Sequence, residues 1–385
     1  MKLTLVTETF PPEVNGVAMT LHRLVSALAV RGHQVEVVRP RQTTVEVPAT
    51  TPFTEFLTPG FPCPGYKELT LGWPVYWRLK RHWTGQRPDV VHIAVEGPLG
   101  LAALQAARSL KIPLSSSFHT NFHAYSRHYH VGFLHDAGLA YFRWFHNRTA
   151  CTFAPSVDVI AALGSAGFEN LHLLGRGVDT EQFSPARRDE VLRTSWGAGP
   201  DTLVAMCVGR LAAEKNLPLV AETWAVLRAK EPELKLVLVG DGPLRPALTR
   251  QFPGIIYAGV RHGEDLARHY ASGDLFLFAS VTETFGNVVT EALASGLVVV
   301  TYDYAAGRAH VRDGENGHLA RLGDEAAYRA AAQRAVAGRA EWPILRAAAR
   351  HTAKALSWDR VVDGFEQVLL GLVEQAVDQA HVTAG

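Results

Sequence analysis

Apolar and polar positions alternate in blocks along this chain. Lys2 to Val6 is a short apolar run, of the length of a buried strand. After Asn15-Gly16, residues Val17, Leu21, Leu24, Val25 and Leu28 recur on one helical face, and Gly32 closes the stretch. That spacing predicts an amphipathic helix. Gln34–Val38, Asp89–Ile93 and Leu114–Phe118 read as further strands. Strands separated by helical segments predict βαβ units, hence a parallel sheet covered by helices. The rhythm pauses at Arg176-Gly177-Val178-Asp179 and the polar stretch to about Pro200. It resumes at Leu203–Val208 and continues through Leu236–Val239, Ile255–Tyr257, Leu275–Phe278 and Val298–Tyr302. Two α/β domains, 1–180 and 200–357, are the simplest parse, with a cleft between them as the expected active site. Trp358 to Gln379 places Val361, Phe365, Val368, Leu372 and Ala376 at helical spacing. A helix of that length either packs back onto the first domain or caps the second.

The candidate chemistry clusters after strands. Glu283 and Glu291 lie eight residues apart across Thr284-Phe285-Gly286-Asn287. The first follows the Leu275–Phe278 strand, at the sheet edge where open α/β sheets bind ligands. The second falls in the first turns of the next helix, whose free N–H groups suit a phosphate. Acids on either side of a phosphate can accept hydrogen bonds from hydroxyls, and such an arrangement describes a nucleotide sugar. The helix dipole alone also favours Glu near a helix start, so the pair gains weight from its surroundings. Arg210, after Gly209, and Lys215 sit on the loop beyond another strand. They could clamp a diphosphate, with a planar fork and a compact point charge; the plainer reading is a solvated loop with two surface charges. Gly16 lets backbone approach a phosphate closely or simply permits a turn. His119, just past Phe118, would face the cleft and hydrogen-bond a sugar hydroxyl or a developing charge. Lone histidines are more often structural, and His123, His128, His130, His135 and His146 crowd the same region. Gly240-Asp241-Gly242-Pro243 reads as a turn with Pro at a helix start.

Composition narrows the class. A chain of 385 residues holds about two domains. Three scattered cysteines, Cys63, Cys151 and Cys207, argue for reduced thiols. No secretory leader pattern and no apolar run of membrane-spanning length stand out, so a cytoplasmic location is expected. Net charge is only +1, but residues 1–180 carry 16 basic against 12 acidic side chains, and the remainder 22 against 25. That balance offers no basic excess for nucleic acid. Within the basic half, Tyr66–Arg87 interleaves Lys67, Arg78, Lys80 and Arg81 with Trp73, Tyr76, Trp77 and Trp83. Such a segment suits an anionic membrane surface; the alternative is a helix with its Trp face inward and solvated cations outside. No Asp-x-Asp and no zinc-ligand spacing occur, so no metal and no cofactor beyond a donor substrate are expected.

In their order along the chain these residues resemble the retaining glycosyltransferases of family 4, of GT-B architecture. The matching elements are Glu8-Thr9-Phe10-Pro11-Pro12 with Asn15-Gly16, Phe118-His119-Thr120, Arg176-Gly177-Val178-Asp179, Gly209-Arg210 with Glu214-Lys215, Gly240-Asp241-Gly242-Pro243, the Glu283/Glu291 pair and Ser357-Trp358. The resemblance implies an α/β fold of two facing Rossmann-like domains. It implies that Arg210 and Lys215 hold the donor diphosphate, that Glu283 binds the donor sugar and that Glu291 binds the ribose. Amides around Phe285, Gly286 and Asn287, with Gly16, would line the phosphates, and His119 would contact the donor sugar. Transfer would retain anomeric configuration by front-face attack, with a hydroxyl acceptor, a membrane lipid among the candidates. Relatives using GDP-mannose and relatives using UDP-glucose or transferring sulfoquinovose match equally well. A sugar-nucleotide epimerase of similar architecture and a non-catalytic binding module are the rival classes; the Arg210/Lys215 pair beside the two acids favours transfer.

Overall fold

Strands buried on both faces read as near-continuous apolar runs, and the runs of this chain become strands of two parallel sheets. The computed structural model describes residues 1–13, 15–42, 51–63, 66–119, 132–283 and 285–384. The chain divides into two compact units, Met1–Gly175 with Asp359–Gly385, and Arg176–Trp358.

In the first unit the strands are β1 (Lys2–Val6), β2 (Gln34–Pro40), β3 (Thr54–Thr58), β4 (Gly60–Cys63), β5 (Tyr66–Gly72), β6 (Val90–Ile93), β7 (Leu114–Ser117), β8 (Cys151–Ala154) and β9 (Leu171–Leu173). Seven of them form a parallel sheet in the order β3-β2-β1-β6-β7-β8-β9. β4 and β5 pair separately as an antiparallel hairpin. The order reverses between β1 and β6, so the loops leaving these two strands diverge at a topological switch point.

The second unit repeats the plan. Its strands β10 (Val204–Val208), β11 (Lys235–Val239), β12 (Ile256–Gly259), β13 (Leu275–Phe278), β14 (Val298–Tyr302) and β15 (His318–Ala320) run parallel in the order β12-β11-β10-β13-β14-β15. Here the reversal falls between β10 and β13. Residues 181–199, left out of both domains in the sequence parse, and residues 176–180, assigned there to the first domain, belong to this unit. Buried Arg193 fastens that segment to the sheet, with Nη1 donating to Asp274 Oδ2 at 3.0 Å and to the Ser272 carbonyl at 2.8 Å. The chain enters and leaves the unit side by side, with Val178 N–H donating to the Leu356 carbonyl at 2.9 Å. Gly177 permits this approach, since a Cβ there would lie 2.6 Å from Trp358 Cα.

The final helix, Trp358–Ala384, contributes Val362, Phe365 and Leu369 to the first unit's core, beside Leu3, Leu5, Val37, Val90 and Phe153. Arg31 and His33 pair with Glu366 on the same helix. Phe365 is 2% exposed, and its ring lies 5.0 Å from those of both Phe153 and His92. Emptying so filled a site costs about 3–5 kcal/mol. Phe365→Ala should lower stability by that amount in chemical denaturation; a loss below about 1 kcal/mol would show that the helix contributes little to this core.

Candidate active site

Sheet topology decides which loops meet in the second unit. The loop after β10 carries Gly209, Arg210 and Lys215, and the loop after β13 carries Glu283. Because β10 and β13 are neighbours, both loops leave the same stretch of the C-terminal sheet edge. Two bonds join them, the Glu214 carbonyl accepting from Val281 N–H at 3.1 Å and from Ser280 Oγ at 3.2 Å; within the second loop Ser280 Oγ also reaches the Thr282 carbonyl at 3.3 Å. The loop after β11 supports them from behind. Leu211 N–H donates to the Asp241 carbonyl at 2.9 Å, and Gly240 takes a φ of +135°, with room for no Cβ, since one would fall 2.0 Å from the Gly209 carbonyl oxygen. The glycines at 240 and 242 therefore serve loop packing, and the next helix begins at Arg245, not Pro243.

The stitched loops bring Lys215 and Glu283 into direct contact. Lys215 Nζ donates to Glu283 Oε1, and the same ammonium lies 5.4 Å over the Phe278 ring. Side-chain exposures of 18% and 15% leave the pair reachable yet poorly hydrated, which strengthens its electrostatics. Tyr304 Oη donates to the Glu283 carbonyl at 3.1 Å, so the acid's backbone is fixed as well. Arg176, at the start of the unit, feels the Glu283 charge, although burial dominates and lowers its pKa. Arg210 is placed differently. Its guanidinium is 70% exposed and pairs with Glu214 Oε1 at 2.7 Å, so it stands at the mouth of the loop, held by a carboxylate four residues on.

Beyond Glu283 the chain turns through Gly286, whose φ of +96° is costly for other residues. Thr284 lies outside the described residues. The helix Asn287–Ala294 follows. Phe285 is buried, its carbonyl accepting from Ala306 N–H at 2.8 Å. Among the described residues Asn287 Oδ1 is buried without a hydrogen-bond partner. The opening turn of this helix offers backbone N–H groups, which suit an anion, and it lies close to Glu283, since a Cβ at Gly286 would fall 3.7 Å from Glu283 Cγ. Glu291 sits one turn further. Its Oε2 accepts from Tyr270 Oη at 2.9 Å, and burial pushes its pKa up to about 7, with that hydrogen bond pulling the other way.

In the first unit, Gly16 opens the helix Gly16–Val30, and Asn15 Oδ1 caps it by accepting from Val17 and Ala18 N–H at 3.0 and 2.8 Å. His119 follows buried Phe118 beyond β7. Thr120, Asn121, His123, His128 and His130 lie outside the described residues, as does the side chain of His135. His146 is structural: its ring joins Ser116 Oγ and Glu96 Oε1, both at 2.8 Å, in a buried network. Glu8 has a role that its place in the sequence did not reveal. It is 3% exposed and accepts from Leu99 N–H at 2.9 Å, at the start of the helix Pro98–Ser109. Burial raises its pKa to about 7. A Cβ at Gly97 would fall 1.9 Å from its carboxylate, so Gly97-Pro98 after β6 is the signal that marks this clamp. Tyr270, Ser280 and Tyr304 carry no comparable signal, because aromatic and small polar residues near strands are commonplace. Among the described residues, no group of three or more His, Cys, Asp or Glu gathers as metal ligands.

Comparison with known proteins follows this division. The family model for Glycosyltransferase Family 4 matches residues 14–182, and that for Glycosyl transferases group 1 matches residues 202–337. A GDP-mannose-dependent alpha-mannosyltransferase of Mycolicibacterium smegmatis is 35% identical over 377 residues, covering 96% of this chain and 98% of that protein. An alpha-monoglucosyldiacylglycerol synthase of Streptococcus pneumoniae is 26% identical, covering 78% and 71%. Sucrose-phosphate synthase from Thermosynechococcus elongatus superposes with a TM-score of 0.77 at 17% identity, over 97% of this chain and 99% of that one, a likeness that shows the GT-B fold. With each unit matched by its own glycosyltransferase model, and a relative aligned nearly end to end at 35% identity, the chain belongs to glycosyltransferase family 4.

Proposed function

We propose that the protein transfers mannose from GDP-mannose to a hydroxyl acceptor, with retention of anomeric configuration. The Lys215–Glu283 contact at the switch point of the second sheet carries this reading. In it a cation suited to a diphosphate and an acid suited to sugar hydroxyls share one spot. The neighbouring Asn287 helix start supplies N–H groups for the phosphates, and Glu291 stands one turn on for the ribose. The name of the mycolicibacterial relative favours mannose and guanine. For Gly16 and His119 we propose, on the family resemblance alone, contact with the phosphates and with the donor sugar.

Glu283 is held by a cation, which blunts it as a nucleophile while leaving it able to accept hydroxyl hydrogen bonds. That favours front-face attack over the covalent route of retaining hydrolases, which need a free carboxylate nucleophile. The main catalytic contribution is then electrostatic. Lys215, Arg210 and the helix N–H groups stabilise the departing diphosphate more than the bound donor. No step in this route calls for a metal. Lys215→Ala should reduce turnover of GDP-mannose roughly 100-fold or more in an assay of GDP release with acceptor present; near-normal turnover, or faster use of UDP-glucose by the wild type, would contradict the proposal.

The acceptor reading rests on the surface of the helix Tyr76–Gly85. Leu79 and Trp83 face inward and are fully buried, whereas Trp73 and Trp77 are 52% and 77% exposed. Arg78 and Arg81 are exposed as well, and the Lys80 ammonium lies 5.8 Å from both the Tyr76 and Trp77 rings. The two sequence alternatives thus split by residue: one tryptophan is core, and two stand outward among cations. The side chain of Lys67 lies outside the described residues. Among the described residues no helix is long and apolar enough to cross a membrane. We propose that this patch docks on anionic lipid and that the acceptor is a lipid there. The protein should co-sediment with phosphatidylglycerol vesicles at physiological salt. Replacing Arg78 and Arg81 by Ala should weaken that about thirtyfold, at about 1 kcal/mol per cation, and absence of wild-type binding would contradict docking.

A further inference from the structure

Glu291 has one side-chain partner among the described residues, and that partner is buried. Tyr270 lies on the helix Gly263–Ser272 and has no exposed surface. Its ring packs edge-on against Phe183 at 5.6 Å and beside Phe276 at 5.8 Å, which leaves the ring no freedom to swing. The hydroxyl emerges from this packing 2.9 Å from Glu291 Oε2. Oε1 has no hydrogen bond from the described residues, and Glu291 itself is partly exposed. A Glu carboxylate otherwise rotates about a broad terminal torsion, and ordering it on binding would weaken the complex.

We propose that Tyr270 is the positioning residue for ribose recognition: by holding Oε2 it presents Oε1 of Glu291, already oriented, to a hydroxyl of the nucleotide ribose. This rests on the reading that Glu291 takes the ribose of the donor. A tyrosine is suited to the task because its hydroxyl donates without charge, leaving the acid an acceptor on its free side. Phenylalanine would keep the packing and lose only the tether. The same hydrogen bond favours the ionised acid, while burial opposes it and sets the pKa at about 7. Cys207 also faces the tyrosine, and burial pushes its thiol up to about 12, keeping it neutral. Ribose hydroxyls donate to the ionised acid, so donor affinity falls as pH drops through 7. Loss of the tether moves that midpoint upward. In the unliganded protein the sign reverses. Folding raises this acid from its ordinary 4.5, so the folded state holds the proton more tightly, and the acid's contribution to stability erodes as pH rises from 4.5 through 7.

The test compares wild type with Tyr270→Phe by calorimetric titration, using GDP and 2′,3′-dideoxy-GDP at pH 8 and GDP-mannose from pH 6 to 8. The wild type should prefer GDP over the dideoxy nucleotide by about ten- to a hundredfold, the scale of a hydrogen bond to a charged group. Tyr270→Phe should reduce the preference to about twofold, leave dideoxy-GDP affinity unchanged and shift the GDP-mannose midpoint above pH 7. A merely structural tyrosine would weaken both nucleotides together and keep their ratio. An unchanged ratio and midpoint in Tyr270→Phe overturns the proposal. Glu291→Ala serves as the separate control: if it binds GDP as the wild type does, the ribose assignment of Glu291 fails first, and the role of Tyr270 falls with it.

Discussion

A lysine after one strand and a glutamate after another, 68 residues further on, form an ion pair because their strands are neighbours at the point where the sheet order reverses. The other features of the second unit's site serve that contact. The Glu214 carbonyl gathers two donors from the opposite loop. Tyr304 fixes the acid's backbone, and Gly240 allows a third loop to press close from behind. The pair costs desolvation, which its mutual attraction only roughly offsets. On the proposed function, a diphosphate entering beside Lys215 would meet a cation whose position is already fixed, so little reorganisation would remain for the reaction itself.

Charge is distributed unevenly around that pair, and the unevenness has chemical content. Arg210 stands exposed and bound to Glu214, a surface pair that costs little to break. Lys215 is less exposed and tied to the site's own acid. The two cations thus differ in freedom, Arg210 loosely held at the surface and Lys215 fixed against Glu283. Glu291, with its pKa near 7, stands apart from both and contacts tyrosine alone among the described side chains. Two acids from one short segment therefore sit in opposite electrostatic settings, one neutralised by a cation and one merely buried.

Much of this was legible in the sequence, for identifiable reasons. Parallel strands buried on both faces announce themselves as apolar runs, and the residues just past them land at the sheet's functional edge. Arg210, Lys215, Glu283 and His119 could be singled out on that ground alone. Strand order could not be read, since it depends on which crossovers pack, and with it went the reason why the loops after β10 and β13 meet. Tyr270 was invisible for a related reason. An aromatic on an amphipathic helix looks like ordinary core, and its hydroxyl matters only because packing against Phe183 and Phe276 aims it at Glu291. Trp83 and Trp77 show an intermediate case. Helical spacing puts Trp83 with Leu79 on one face and Trp77 on another, but only packing reveals which face is inward.

The most direct measurement is a crystal structure of the protein with GDP-mannose bound in the absence of acceptor. The account predicts the diphosphate against Lys215 and the opening turn of the Asn287–Ala294 helix, the mannose hydroxyls on Glu283, and the ribose on Glu291. A nucleotide seated away from the loops after β10 and β13, with the Lys215–Glu283 contact undisturbed and solvent around it, would contradict it.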